Sequence, residues 1–191
     1  MERSTHKKAA YLIGLAIGDG NLSNPNGRAT RLRITCDVRY PNLIENITHT
    51  LQELFPDNKV AIINRNDNCV DISCYSNSLE KLLGWKAQSG SKYKQKVTVP
   101  EWILRDREFT IHCLKGLFET DGSVYKDRGY KMVNFVTIIP ELSKNVFEMI
   151  VSLGFEPNLQ TFTPKIGEIK HTIRISKKAN EFIETINLEK K

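Results

Sequence analysis

The sequence predicts an α+β fold made of two pseudo-symmetric repeats of one unit, helix, two strands, helix, two strands, helix (αββαββα), and three observations carry that expectation. The pattern Leu-x-Gly-Leu-x-x-x-Asp-Gly occurs at Leu12 to Gly20 and again at Leu114 to Gly122. After each copy the periodicities follow the same order: alternating stretches, one stretch at helical spacing, then alternating stretches again. Between the copies, residues 84–100 mix Gly, Ser, Gln and Lys with neither period. They mark a basic linker between a first repeat at 1–83 and a second at 101–191.

The first helix is expected from about Ser4 to Gly18, where Tyr11, Leu12, Leu15 and Ile17 spread widely enough for burial on more than one side. Asp19-Gly20 ends it. Asn24-Pro25-Asn26-Gly27 is a run of turn formers linking two antiparallel strands. In the strand Arg28 to Asp37, Leu32, Ile34 and Cys36 alternate with Arg31, Arg33 and Thr35, so one face is apolar and the other basic and polar. Pro41 to Phe55 reads as an amphipathic helix covering the back of that sheet. Strands at Lys59 to Arg65 and Cys69 to Tyr75, joined by Asn66-Asp67-Asn68, and a short helix from Ser78 to about Leu83 complete the repeat.

The second copy runs in the same order. Pro100 to Leu104 leads into the motif helix, with Asp106 as its N-cap. Strands at Ser123 to Lys126 and Tyr130 to Ile138 flank the turn Asp127-Arg128-Gly129. Pro140 to Leu153 matches Pro41 to Phe55, and Gly154 stops it. Strands around Pro157 to Pro164 and Glu168 to Ser176 and a last helix from Lys178 to Ile186 follow.

Composition bounds the partners. The 191 residues are 40% hydrophobic, ample for a core, and carry a net charge of +6 with a pI near 9.1. That surplus is modest, but its placement points to nucleic acid: Arg28, Arg31, Arg33 and Arg39 crowd one strand region, while Lys86, Lys92, Lys94 and Lys96 fall in a segment with no acid. No apolar run approaches the roughly 20 residues of a membrane span, and the start lacks a signal peptide's apolar stretch. The chain is therefore expected to remain intracellular, in cytoplasm or an organelle. Cys36, Cys69, Cys74 and Cys113 form no C-x-x-C pair and are read as reduced core residues, and His6, His49, His112 and His171 show no ligand spacing.

The repeated motif carries the chemistry. Glycines on matching faces let two helices approach until their backbones touch, which brings both C-terminal ends, and so Asp19 and Asp121, together. Two carboxylates at the negative ends of helix dipoles repel one another unless a divalent cation lies between them. Oxygen-only ligation suits Mg²⁺ or Mn²⁺ better than zinc.

This motif pair, with the repeated element order, resembles the LAGLIDADG family of homing endonucleases in its single-chain, two-repeat form, and the resemblance covers nearly the whole chain. It implies that the motif helices form the interface between halves and that two four-stranded antiparallel sheets form a saddle over double-stranded DNA. It implies metal ligation by Asp19 and Asp121 with the carbonyls of Gly18 and Thr120, and a monomeric, site-specific endonuclease. On that pattern DNA contacts fall to Arg28, Arg31, Arg33, Thr35, Arg65, Asp71, Ser73 and Tyr75 in the first half. In the second they fall to Lys126, Arg128, Lys131, Thr137, Thr172 and Arg174. A catalytic lysine is expected at the start of a repeat's final helix, where the second half has Lys177 and the first has Asn77. The family's polar residue at the end of the second strand is replaced by Cys36 or Asp37 and by Ile138. An intron RNA maturase and a non-cleaving DNA-binding regulator are the alternatives on the same fold. Without a helix-turn-helix appendage or the terminal residues of a splicing element, the chain is expected to be freestanding.

Overall fold

The computed structural model describes residues 2–189; Met1, Lys190 and Lys191, which the two expected repeats include, lie outside the described residues. The first half comprises α1 (Arg3–Gly18), β1 (Gly20–Ser23), β2 (Arg31–Asp37), α2 (Pro41–Leu54), β3 (Val60–Asn64), β4 (Cys69–Tyr75) and α3 (Leu79–Leu83). The second comprises α4 (Glu101–Leu104), α5 (Arg107–Thr120), β5 (Gly122–Asp127), β6 (Tyr130–Thr137), α6 (Pro140–Ser152), β7 (Asn158–Phe162), β8 (Lys170–Ile175) and α7 (Ala179–Thr185). The one element beyond the expected repeat is α4. It is separated from α5 because Asp106 is extended and its carboxylate accepts the Glu108 and Phe109 amides, which starts a new helix.

Each half holds a four-stranded antiparallel sheet, ordered β1-β2-β4-β3 and β5-β6-β8-β7. α2 lays Ile47 and Leu51 on the back of the first sheet, and α6 lays Val146 and Ile150 on the back of the second. Between the halves runs the helix pair α1 and α5. Every α1 residue from Ala9 to Ile17 is buried, the pattern of a helix enclosed on all sides.

Two glycines make that enclosure possible. A Cβ on Gly14 would lie 2.2 Å from the Cys113 carbonyl oxygen, and one on Gly116 would lie 2.4 Å from that of Tyr11. The helices therefore touch backbone to backbone, each glycine seated on the other helix.

Residues 84–100 are not a solvated connector. Trp85, Val97 and Val99 are buried in the core. The backbone between them is held by bonds from the Gln95, Lys96 and Val97 amides to the Ser91, Tyr93 and Lys92 carbonyls. The Gln95 side chain grips both backbone groups of Lys86 and the Gly90 carbonyl. Side-chain-to-backbone bonds replace a regular ladder here, which is why no period marks the segment. Among the described residues no helix is long and apolar enough to cross a membrane.

Candidate nucleic-acid interface and metal centre

The helix contact sets the site. α1 and α5 stop at Asp19 and Asp121, whose amides still bond back to the Leu15 and Leu117 carbonyls, so both acidic side chains leave from finished helix ends. A Cβ on Gly18 would stand 2.0 Å from Thr120 Oγ1 and 3.4 Å from Asp121 Oδ2, so the Asp121 carboxylate lies across the end of the partner helix. Asp19 and Asp121 are both exposed. Thr120 Oγ1 turns back to the Gly116 and Leu117 carbonyls, which fixes its rotamer against Gly18.

Lys92 enters this site from the segment between the halves. Its ammonium donates to the carbonyl oxygens of Ile17 at 2.5 Å, Ala16 at 3.3 Å and Gly18. Burial pushes the Lys92 amine below the ordinary lysine value, while the charges of Asp121 and Asp19 act the other way. A cation is thus already drawn to the place where two helix dipoles and two carboxylates converge. Sequence reasoning treated Lys92 with Lys94 and Lys96 as surface charge; the apolar Tyr93, Val97 and Val99 among them were the signal that this stretch turns inward.

Beside this centre lies a cleft of about 560 Å³ lined by Gly18, Lys92, Lys94, Asp121, Thr137, Ile138 and Lys170 among others. Its counterpart across the pseudo-twofold, about 230 Å³, is lined by Arg39, Tyr40, Glu119 and Glu189 among others. Glu119 occupies the place that Ile17 holds in α1, is 3% exposed, and accepts the Tyr11 hydroxyl at 2.5 Å. Lys115 reaches Glu119 at 3.6 Å and Glu189 at 3.0 Å. Burial raises the Glu119 carboxyl above its ordinary value against the pull of Tyr11 and Lys115.

Strand register decides which side chains leave the polar face of each sheet. In the first half Arg31, Arg33, Thr35, Asp71, Ser73 and Tyr75 share that face, and Arg65 extends it. Asp71 is its hub, accepting Thr35 Oγ1 at 2.7 Å and lying 3.7 Å from Arg33 and 3.6 Å from Arg65. Arg28 is exposed in the β1–β2 connection. In the second half Thr172 and Arg174 face the same way as their neighbours Val136 and Asn134. Lys126, Lys131 and Thr137 do not: they share the row of Val124, Val133 and Phe135, which points to the core. The polar face carries instead Tyr125, whose hydroxyl accepts the Asn134 amide at 3.1 Å, and Gln160 opposite Thr172. Thr137 caps the following turn by accepting the Ile139 amide and lines the larger cleft. Arg128 is exposed at the β5–β6 turn with φ +49°.

Comparison with known proteins bears on this geometry. Residues 108–187, the whole second motif with its sheet and closing helix, match the LAGLIDADG-like domain family. Over 96% of the chain the fold superposes on variants of the homing endonuclease I-DmoI, with TM-score 0.71, 20% identity and 97% of that chain covered. The second half of the chain thus carries a LAGLIDADG-like domain. I-DmoI in complex with DNA and Mn gives TM-score 0.71 at 21% identity, covering 98% of this chain and 99% of that one. The full-length WhiA protein of Thermatoga maritima gives TM-score 0.67 at 15% identity, with 100% of this chain and 58% of that one covered. In sequence, 149 residues are 30% identical to a DNA polymerase of Thermococcus hydrothermalis, a match covering 75% of this chain and 8% of that protein.

Two expectations drawn from the LAGLIDADG pattern are not brought to the motif ends. Gly122 lies level with Phe135 and so with Ile173, whereas Lys177 lies in the turn beyond the end of β8. Lys177 is exposed there and pairs with Glu156 at 3.2 Å. At the second-strand ends, Asp37 is engaged in a fork with Arg39 at 2.7 Å and Ile138 lines the larger cleft without a polar group.

The donor set fits a hard divalent ion. Among the described residues no group of three or more His, Cys, Asp or Glu could hold a metal alone. Two carboxylates and helix-end carbonyls leave room for water and phosphate oxygens, the coordination Mg²⁺ and Mn²⁺ prefer.

Proposed function

We propose that this chain is a site-specific double-strand DNA endonuclease of the homing type, acting as a monomer with Mg²⁺ or Mn²⁺. The observation that carries it is the pairing of Asp19 and Asp121 by glycine-backed helices between two sheets with polar, basic faces. Asp19 and Asp121, with the Gly18 and Thr120 carbonyls, would hold the ions, which when bound supply charge neutralisation at a scissile phosphate and a more acidic water. The chain's own part is binding and orientation. Arg31, Arg33 and Arg174 present fixed donors to a duplex. Among the described residues the Nε atoms of Arg33 and Arg174 are buried without a hydrogen-bond partner, an arrangement suited to an incoming acceptor. Hydrolysis forms one P–O bond to water and breaks one to a sugar oxygen on each strand. One carboxylate centre per half matches two cuts.

The test is incubation with Mg²⁺ and a randomised duplex library, followed by sequencing of the ends. Defined double-strand ends are expected from the unaltered chain, none from Asp19→Asn or Asp121→Asn, and duplex binding by both variants within a few-fold of the parent. Ca²⁺ is expected to support binding without ends. Cleavage by either Asn variant, or tight duplex binding with no ends under Mg²⁺ and Mn²⁺, would overturn the assignment; the second outcome would favour a DNA-binding regulator.

A further inference from the structure

We infer that Lys92 is a resident cation of the centre, competing with a divalent ion for the Gly18 carbonyl and so setting how weakly the DNA-free chain holds metal. This rests on the reading that Asp19 and Asp121 bind divalent ions.

Three observations converge on it. The Lys92 ammonium bonds the carbonyls of Ala16, Ile17 and Gly18, acceptors of the last turn of α1, and Gly18 is the residue whose carbonyl adjoins Asp19. Its position is held rather than incidental: the Val97 amide bonds the Lys92 carbonyl, the Gln95 amide bonds that of Ser91, and Val97 and Val99 anchor the segment in the core. Its charge acts on both Asp19 and Asp121, and with Gly18 and Asp121 it lines the cleft beside the motif ends.

A divalent ion on the Gly18 oxygen would stand within a few ångström of this ammonium. Either the ion is repelled or the lysine withdraws, and each raises the metal concentration needed. The device keeps the carboxylate pair balanced in the absence of metal. It also couples metal loading to the duplex, whose phosphates offer the displaced ammonium another partner.

Calorimetric titration of the DNA-free chain with Ca²⁺ decides it. Lys92→Met should bind Ca²⁺ about tenfold more tightly than the parent, the scale of removing one adjacent like charge. Lys92→Arg, which retains the charge, should stay at the parental affinity, as should Lys144→Met on the exposed face of α6. A tightening that requires loss of charge is not what loosened packing would give. Should Lys92→Met not fold, Lys92→Gln serves the same comparison. In the unaltered chain Ca²⁺ should increase labelling of Lys92 by an amine-reactive acylating reagent, read by peptide mass against Lys144. Equal Ca²⁺ affinity in parent and Lys92→Met, or weaker binding in the variant, overturns the inference and leaves the metal reading standing. No Ca²⁺ binding by any form, at any concentration short of precipitation, overturns both.

Discussion

Glu119 shows how one side chain can separate two otherwise equivalent helices. It stands where α1 has Ile17, buried with the Tyr11 hydroxyl as donor and Lys115 just beyond hydrogen-bond reach. Burial raises its pKa, so the fold favours the neutral acid. The stability it contributes is present below the ordinary glutamate value of 4.5 and is lost as pH rises through the raised one. Glu119→Gln keeps an acceptor for Tyr11 and removes the charge. Relative to this variant the parent should lose stability as pH rises above about 4.5 and through the raised value, as measured by urea unfolding at a series of pH values; the opposite slope would put the Lys115 pairing above burial. At this scale the sequence was legible where a motif repeats and blind where a position has no repeat. The placement of Asp19 and Asp121 at adjoining helix ends and the Asp106 cap were read directly. Lys92 was not, because an aperiodic basic stretch looks the same whether its lysines point out or in. Lys126, Lys131 and Thr137 were assigned to the DNA face although Val133 and Phe135, two residues apart in the same strand, fix the opposite parity.

Among elements, the α1–α5 contact has the least tolerance. Alanine at Gly116 places a methyl 2.4 Å from the Tyr11 carbonyl oxygen and 2.7 Å from the Leu15 amide nitrogen, and neither backbone group can move without opening the pair. Gly116→Ala should cost about 3 kcal/mol or more by denaturant unfolding. Gly129→Ala is the informative contrast. It meets nothing within 4 Å, and its φ of +87° predicts only the about 1–2 kcal/mol of a left-handed residue. The expected strands and helices all form, with no end shifted by more than three residues, because most are amphipathic or fully apolar over their length. What escaped the pattern was α4, a single turn too short to have a period.

For the whole molecule the charged faces predict two kinds of DNA dependence. Arg33 and Arg174 lie on the central strands β2 and β8, their Nε atoms buried and without a partner among the described residues. Replacing either with Ala should weaken duplex binding by about 1–3 kcal/mol and relax preference at particular base pairs. Replacing Lys94, exposed at the rim of the larger cleft, should weaken all sequences alike and reduce the salt slope by about one. Filter-binding or fluorescence titration over a salt series separates the two, and sequence-independent losses from Arg33 and Arg174 would make them phosphate contacts only.

The glycine seats at Gly14 and Gly116 also act as a gauge. With no side chain between the helices, the separation of the two carboxylates is set by backbone thickness and cannot drift as the surrounding core changes. Halves taken from different proteins could be joined into a working chimera only when each brings a residue without a side chain to the matching turn. The strands of the two polar sheet faces, which take no part in that contact, stay free to vary. The molecule thus holds the spacing of its two carboxylates independently of the strand faces on either side.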